Sequence, residues 1–371
     1  MKQPYRIVLG IALAILGAMI LSRTWGSGHQ SGQKEIAPLI KKPKTVCVGR
    51  FLVDLPGDAQ IEMSPPRIDG FEITAFKESD EQFQKRIAER EVQLRSKPDW
   101  QGGDQNLESI KEVKTSSGLV GKIFIHSRTV KEGTQGNGLG GVERYRHEGI
   151  TTEALVHGHG ISIDLFYKDR NPDLVEDLPR LVNQLVPNPD NRIPTEPGFC
   201  TDRAYVRDPL RADQREQIMM FAGLPSHPDV QRKFLVAAGL KPDVKGLLER
   251  NKDAGSWMAP AQRMRFTTLR AAPRNIAGLS GEEVAELVIE ENDARVHSFM
   301  WDVNGTEDNV FVPHVLLEMS TGNGNRVPVA SSLSDGAALG LCDKISSSIR
   351  LRMKPAAQPR PTLERSKPPI L

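Results

Sequence analysis

"CVGRFLVDLP" runs from Cys47 to Pro56, and "CTDRAYVRDP" runs from Cys200 to Pro209. In both, Arg follows Cys by three residues, Val by six and Pro by nine (Arg50, Val53, Pro56; Arg203, Val206, Pro209). Asp54 and Asp208 lie close before each Pro, one step out of register. A recurring stretch of this kind is expected to open a domain each time. The chain is then a duplicated binding body rather than an enzyme built round one pocket.

The residues downstream support two similarly ordered bodies. "TVCVGRFLVDL" reads as a strand stopped by Pro56-Gly57, and "RIDGFEITAF" as another. Ser79 and Gln82 form a capping box ahead of a helix that carries Phe83, Ile87 and Leu94 near one face. "GLVGKIFIHSRTV" alternates as a strand, a Gly-rich loop comes next, and "ERYRHEGITTEALVHGHGISIDLFY" holds two or three more strands. "DLVEDLPRLVNQLV" closes the first body as a helix. The stretch 187–198 carries prolines at 187, 189, 194 and 197 and reads as the linker, because Pro lacks an N–H and disfavours helix before it.

In the second body, "EQIMMFAGL" reads as a strand. Ser226 ahead of Pro228 and Asp229 predicts a helix reaching Ala238, capped by Gly239. Four further alternating stretches are strands, and Asp335–Ile349 is the closing helix. Strands and helices come in blocks, so the expected class is α+β: two similar domains, each a mostly antiparallel sheet with flanking helices. The boundaries are 45–188 and 196–353, followed by a Lys-, Arg- and Pro-rich tail, 354–371, expected to be disordered.

Residues 1–25 have the layout of an export signal or signal anchor. Lys2 and Arg6 precede an uncharged apolar run, Ile7–Leu21, closed by Arg23. Fifteen apolar residues, at ~1.5 Å each, fall short of a ~30 Å hydrocarbon core unless the flanking arginines snorkel. The expected location is the periplasm, either soluble after cleavage or tethered to the inner membrane by residues 7–21. Residues 26–44, rich in Gly, Ser, Lys and Pro, are read as a tether.

Composition removes several classes of function. The 49 basic and 47 acidic residues leave a net charge of +2, and aromatics are 5%, so neither a phosphate-attracting field nor base-stacking platforms are indicated. No nucleic-acid partner is expected. Cys47, Cys200 and Cys342 form no CxxC, which argues against structural zinc. In an exported chain the repeat-equivalent Cys47 and Cys200 are the candidates for a disulfide; alternatively all three are small buried hydrophobes.

"GNGLGG" has G-x-G-x-x-G spacing, but the residues after it alternate like a strand, so it reads as an exposed hairpin loop that presents Asn137 and Leu139. His157 and His159 fall on one face of a strand without a matching third ligand, so no metal is assigned. The chain has no G-x-S-x-G, H-E-x-x-H or G-x-x-x-x-G-K-[ST], and no catalytic residue or cofactor is assigned. Trp257 and Met258 sit in a polar, turn-prone stretch, where a Trp either folds back on the core or stands out as an interface anchor. Trp100 in "KPDWQGG" poses the same question, whereas Trp301, inside a strand, belongs to the core.

"CVGRFLVDLP", "NLESIKEV" followed by "GKIFIHSR", "GFCTDRAYVRDP", "MMFAGLPSHPD", "AGLSGEEV", "SFMWDVNG" and "SSLSDGAALGLCDKISSSIRLR" occur in this order over about 45–352. Together they resemble the class-four immunity proteins of type VI secretion lipase effectors. The resemblance implies a two-domain periplasmic inhibitor that grips a cognate phospholipase toxin like a claw and hinders its lid. It implies no catalytic residues. The competing expectation is an exported envelope-binding or scaffold module without enzymatic activity.

Overall fold

The computed structural model describes residues 32–138, 140–208, 214–307 and 309–352. The signal or anchor segment 1–25, the tail 354–371 and Leu139 lie outside the described residues. Residues 32–40, expected to belong to a tether, are instead a helix (α1) docked on the body. Ile36 is buried, Glu35 accepts hydrogen bonds from the Ser334 N–H and hydroxyl, and the Gly340 backbone lets Ile36 approach closely.

The first half runs β1 (Lys44–Val48), β2 (Phe51–Leu55), β3 (Gln60–Met63), β4 (Arg67–Ile68), β5 (Phe71–Lys77), α2 (Asp80–Ser96), β6 (Leu107–Lys114), β7 (Val120–Gly136), β8 (Val142–Gly158), β9 (Ile161–Arg170), α3 (Asp177–Gln184) and β10 (Leu185–Pro187). The second runs β11 (Gly198–Thr201), β12 (Ala204–Arg207), β13 (Glu216–Leu224), β14 (His227–Ala238), α4 (Leu247–Trp257), α5 (Pro260–Arg263), β15 (Phe266–Ile276), β16 (Leu279–Ile289), β17 (Arg295–Val303), β18 (His314–Ser320), α6 (Asp335–Ser348) and β19 (Arg350–Leu351). Among the described residues all strand pairings are antiparallel.

Both opening motifs are β-hairpins rather than the single strands expected. Val48 pairs with Phe51 across the turn Gly49-Arg50, and Thr201 pairs with Ala204 across Asp202-Arg203. The shared spacing therefore has a structural meaning: Cys in the first strand, Arg in the turn, a buried Val in the second. Each hairpin gains a third strand from the other half. β19, after the closing helix of the second half, pairs with β2, while β10, after the closing helix of the first, pairs with β12. The two domains thus exchange their closing strands.

A 13-stranded sheet runs through both halves in the order β15-β16-β17-β18-β14-β13-β4-β5-β9-β8-β7-β6, with β3 also pairing β13. One principal hydrophobic core likewise includes residues of both, among them Phe51, Phe71 and Ile163 from the first and Phe199, Phe234 and Trp301 from the second. The two domains are recognisable by order of parts, yet they are not independently packed. A second cluster lies under α2, where Phe83, Ile87 and Leu94 meet Phe124 and Leu155. The Ser79–Gln82 capping box that starts this helix is present in both directions.

The helix predicted from Ser226 to Ala238 is strand β14. Val230, Arg232, Phe234, Val236 and Ala238 are buried at every second position, the period of a pleated strand, while Gln231, Lys233 and Leu235 between them are not. Asp229, which looked like a first-turn acid, instead accepts from the Gly322 and Ser332 N–H groups, each at 3.0 Å. Conversely, the polar stretch around Trp257 is helical (α4); Leu247 is its one buried residue, so no apolar stripe marked it.

Candidate functional site

The sequence-nominated contact residues fall into two groups at opposite ends of the long sheet. Trp257 is the last residue of α4 and is 89% exposed. Met258, half-buried, comes next, and Met264 and Phe266 add exposed apolar surface where α5 leads into the edge strand β15. At the other end, Trp100 is 49% exposed in the loop between α2 and the edge strand β6. Beside it β7 and β8 extend as a hairpin arm, whose tip holds Asn137 and whose flank exposes Val142 and Tyr145. Ten ladder steps separate β15 from β7, about 50 Å measured along a sheet with ~4.8 Å strand spacing.

Each end is stiffened by charge. Below Trp257, Arg250 pairs with Asp302, which also meets His314 at 2.9 Å. Burial would raise the Asp302 carboxyl, but His314 and Arg250 outweigh it and hold it below the usual range. Arg270 and Arg274 of β15 reach Asp343 of α6 at 2.7 and 2.9 Å, clamping that edge to the core helix. On the arm, Arg128 bridges Glu108 at 2.7 Å and Glu148 at 3.2 Å, and Lys131 reaches Asp169 at 2.8 Å. Gly133 lets the Tyr145 ring lie across the arm: a Cβ there would come within 2.8 Å of the ring and make it shift. The tip closes on itself: the Gly141 N–H donates to the Asn137 side-chain oxygen, and the Asn137 N–H donates to the Gly141 carbonyl. Asp99 organises the Trp100 loop by accepting from the Gln101 and Gly103 N–H groups at 2.8 and 2.9 Å. Those backbone donors, Gly103 first, hold its carboxyl low.

Between the ends lies the junction of the halves. Cys47 and Cys200 form a disulfide, and Gly49 and Cys200 exchange backbone hydrogen bonds beside it. Arg50, in the first hairpin turn, donates twice to Glu216 of β13 (2.9 and 2.8 Å) and twice to Asp208 (3.2 and 3.0 Å). Arg50 and Glu216 are each only 2% exposed. Its counterpart Arg203 stays in a surface turn with Asp202, so the repeated Arg does different work in each copy. No sequence signal separated the two, because the partners of Arg50 lie more than 150 residues away.

Three groupings among the described residues have the connectivity of a hydrolytic triad. In one, His126 lies 2.9 Å from the Ser127 hydroxyl and 3.2 Å from Glu153, and Ser127 donates to the Asn106 side-chain oxygen. The other two centre on His157 and His297. His157 lies 3.0 Å from the Ser162 hydroxyl and 2.7 Å from Asp80; His297 lies 3.2 Å from the Ser331 hydroxyl and 3.0 Å from Asp335. None presents a free nucleophile. Ser162 is fully buried and donates to Glu78, and Ser331 donates to the Leu333 carbonyl. A serine whose proton is committed to another acceptor cannot pass it to the imidazole. His157 and His297 tie strands β8 and β17 to the first residues of α2 and α6 instead. His159, expected on the face of His157, lies in the turn after β8 at φ +56°, exposed, beside the Ser117 carbonyl.

The architecture recurs in solved immunity proteins. The chain is 24% identical to the type VI secretion immunity protein TplEi of Pseudomonas aeruginosa complexed with "L" peptide, with TM-score 0.65 over 84% of this chain and 99% of that one. It is 23% identical to a chain of the Tle4–Tli4 complex, with TM-score 0.67 over 84% and 98%. The apo form of TplEi matches at 24% identity and TM-score 0.64, over 84% and 97%. No curated protein matches the chain. The fold therefore defines a two-domain α+β body of the immunity-protein architecture. The sequence is more specific: residues 44–136 match the N-terminal domain and residues 192–354 the C-terminal domain of Tle cognate immunity protein 4. The chain belongs to that family.

Proposed function

We propose that this immunity protein neutralises a type VI secretion phospholipase effector in the periplasm, by contact from both ends of its sheet and without chemistry of its own. The observation that carries the reading is the pairing of one continuous sheet with exposed aromatic residues at both ends, Trp257 on one side and Trp100 with the β7–β8 arm on the other. Trp and Tyr are the side chains that most often anchor interfaces. Two contact regions on one body make the second contact intramolecular, which raises affinity without new groups. The serine–histidine pairs with committed hydroxyls support a non-enzymatic role.

Inhibition comes from differential binding. An effector whose lid must open is held shut to the extent that the inhibitor prefers the closed form, each ~1.4 kcal/mol of preference lowering the open population tenfold. Residues 1–25, read as an export signal or signal anchor, would put the inhibitor where a lipase would meet the cell's own membrane, either soluble after cleavage or held by residues 7–21. Co-expression with a Tle4-type phospholipase effector from the same genome tests the proposal. A stable complex and loss of phospholipid hydrolysis are expected; undiminished hydrolysis in excess of this protein refutes it.

A further inference from the structure

Beside the disulfide lies a groove of about 540 Å³ between the two halves. One wall is β1, the other the linker residues 188–192 with the β11 turn, and β3 closes the floor. We infer that this groove binds an extended segment of the effector, which adds as a strand to the free edge of β1; the inference rests on the proposed immunity role.

The backbone geometry carries it. Val48 and Phe51 close a two-residue hairpin, so Val48, Val46 and Lys44 turn their N–H and C=O groups to β2. By alternation Gly49, Cys47 and Thr45 turn theirs outward. Gly49 spends its outward pair on Cys200: the N–H of each donates to the other's carbonyl, at 3.0 and 2.8 Å. That is the first rung of an antiparallel ladder along β1. The ladder stops there because β11 turns away at Asp202-Arg203. Among the described residues, no backbone group takes up the next outward pairs, at Cys47 and Thr45. An open strand edge beside a cavity is the arrangement that strand addition uses.

The lining selects the occupant. Lys44, Arg192 and Arg203 balance Glu62, Asp190 and Asp202, so a phosphate or a metal ion meets no net opposite charge. Val46, Ile61 and Met63 are only partly buried and extend the main core into the groove. A peptide continuing the β11 direction past Thr201 would hydrogen-bond to Cys47 and Thr45. Its alternate side chains would lie over that apolar floor, which calls for an uncharged extended segment with apolar residues at every second position. At ~3.3 Å per residue, the length from Lys44 to Cys47 takes about four residues.

Hydrogen exchange resolved to single amides, on the free chain and on its complex with the phospholipase effector it neutralises, tests this directly. The amides of Thr45 and Cys47 should exchange fast in the free chain and at least tenfold slower in the complex, with Val46 and Val48 slow in both. A second measurement uses Thr45→Pro, which removes an outward N–H that β2 does not use, against Thr45→Val, which keeps it. The Pro variant should bind at least tenfold more weakly and the Val variant as the parent does. If the Pro variant does not fold, the exchange data decide. A complex that co-elutes while Thr45 and Cys47 exchange unchanged overturns the groove and leaves the immunity role standing. Absence of any complex overturns both.

Discussion

The buried ion cluster at the junction makes a sharp prediction about how the halves are held. Arg50→Met removes four hydrogen bonds and leaves the Glu216 carboxylate, 2% exposed, with no cation. Breaking a buried pair from one side costs about 3–5 kcal/mol, because the remaining charge is neither solvated nor compensated. Glu216→Gln alone leaves Arg50 its two bonds to Asp208 and should cost about 2 kcal/mol, within the range for losing a charged hydrogen-bond partner. The double variant Arg50→Met/Glu216→Gln no longer strands a buried charge at position 216. Its cost should fall below the sum of the singles by roughly 2–3 kcal/mol. Burial already pushes the Glu216 carboxyl above its usual range, with Arg50 opposing, so losing Arg50 moves it further up. A carboxyl whose folded value exceeds its unfolded one contributes stability at low pH that is lost as pH rises. The deficit of Arg50→Met should therefore be larger at pH 8 than at pH 5. Urea unfolding of the parent, both singles and the double at the two pH values measures all of this. Additive costs, or a deficit independent of pH, would refute the assignment of a coupled buried pair.

Trp257→Ala should leave the melting temperature unchanged, since the ring is exposed, yet weaken effector binding by about 2 kcal/mol, roughly thirtyfold, as read by calorimetry. Opening the Cys47–Cys200 bond by Cys→Ala at both positions frees a loop spanning 153 residues; the chain-entropy relation gives about 5 kcal/mol of lost stability, measurable by urea unfolding. Glu78, Glu153, Asp229 and Asp302 are each held low by partners that outweigh burial. Carboxyls depressed in the folded state stabilise it above their unfolded range, about 4, so stability should hold from neutrality to about pH 5 and fall as acid protonates them. A melting temperature that rises on acidification from pH 5 to pH 3 would contradict this.

Much of the fold was legible because its signals are local. The Ser79–Gln82 box, the apolar spacing of Phe83, Ile87 and Leu94, and the closing helix α6 each need only one turn of chain to declare themselves. Trp301 read as core for a similar reason, since it lies inside a strand, and it is fully buried. The contact candidates were legible only as residue types. Trp257 was as consistent with packing as with exposure, and the polar helix that displays it carries no apolar stripe.

Other features were settled by residues far apart in the chain. Ser226, Pro228 and Asp229 imitate a helix start, yet β14 lies between β13 and β18, and two flanking strands offer more backbone pairing than a solitary helix could. The echo at Cys47 and Cys200 promised two like domains. Nothing in it disclosed that β10 and β19 cross over, or that Arg50 would be buried and Arg203 left at the surface. Periodicity and capping act within a few residues and can be read along the chain. Which edge a strand joins, and which charge finds a partner, depends on surfaces that exist only once both halves have packed together.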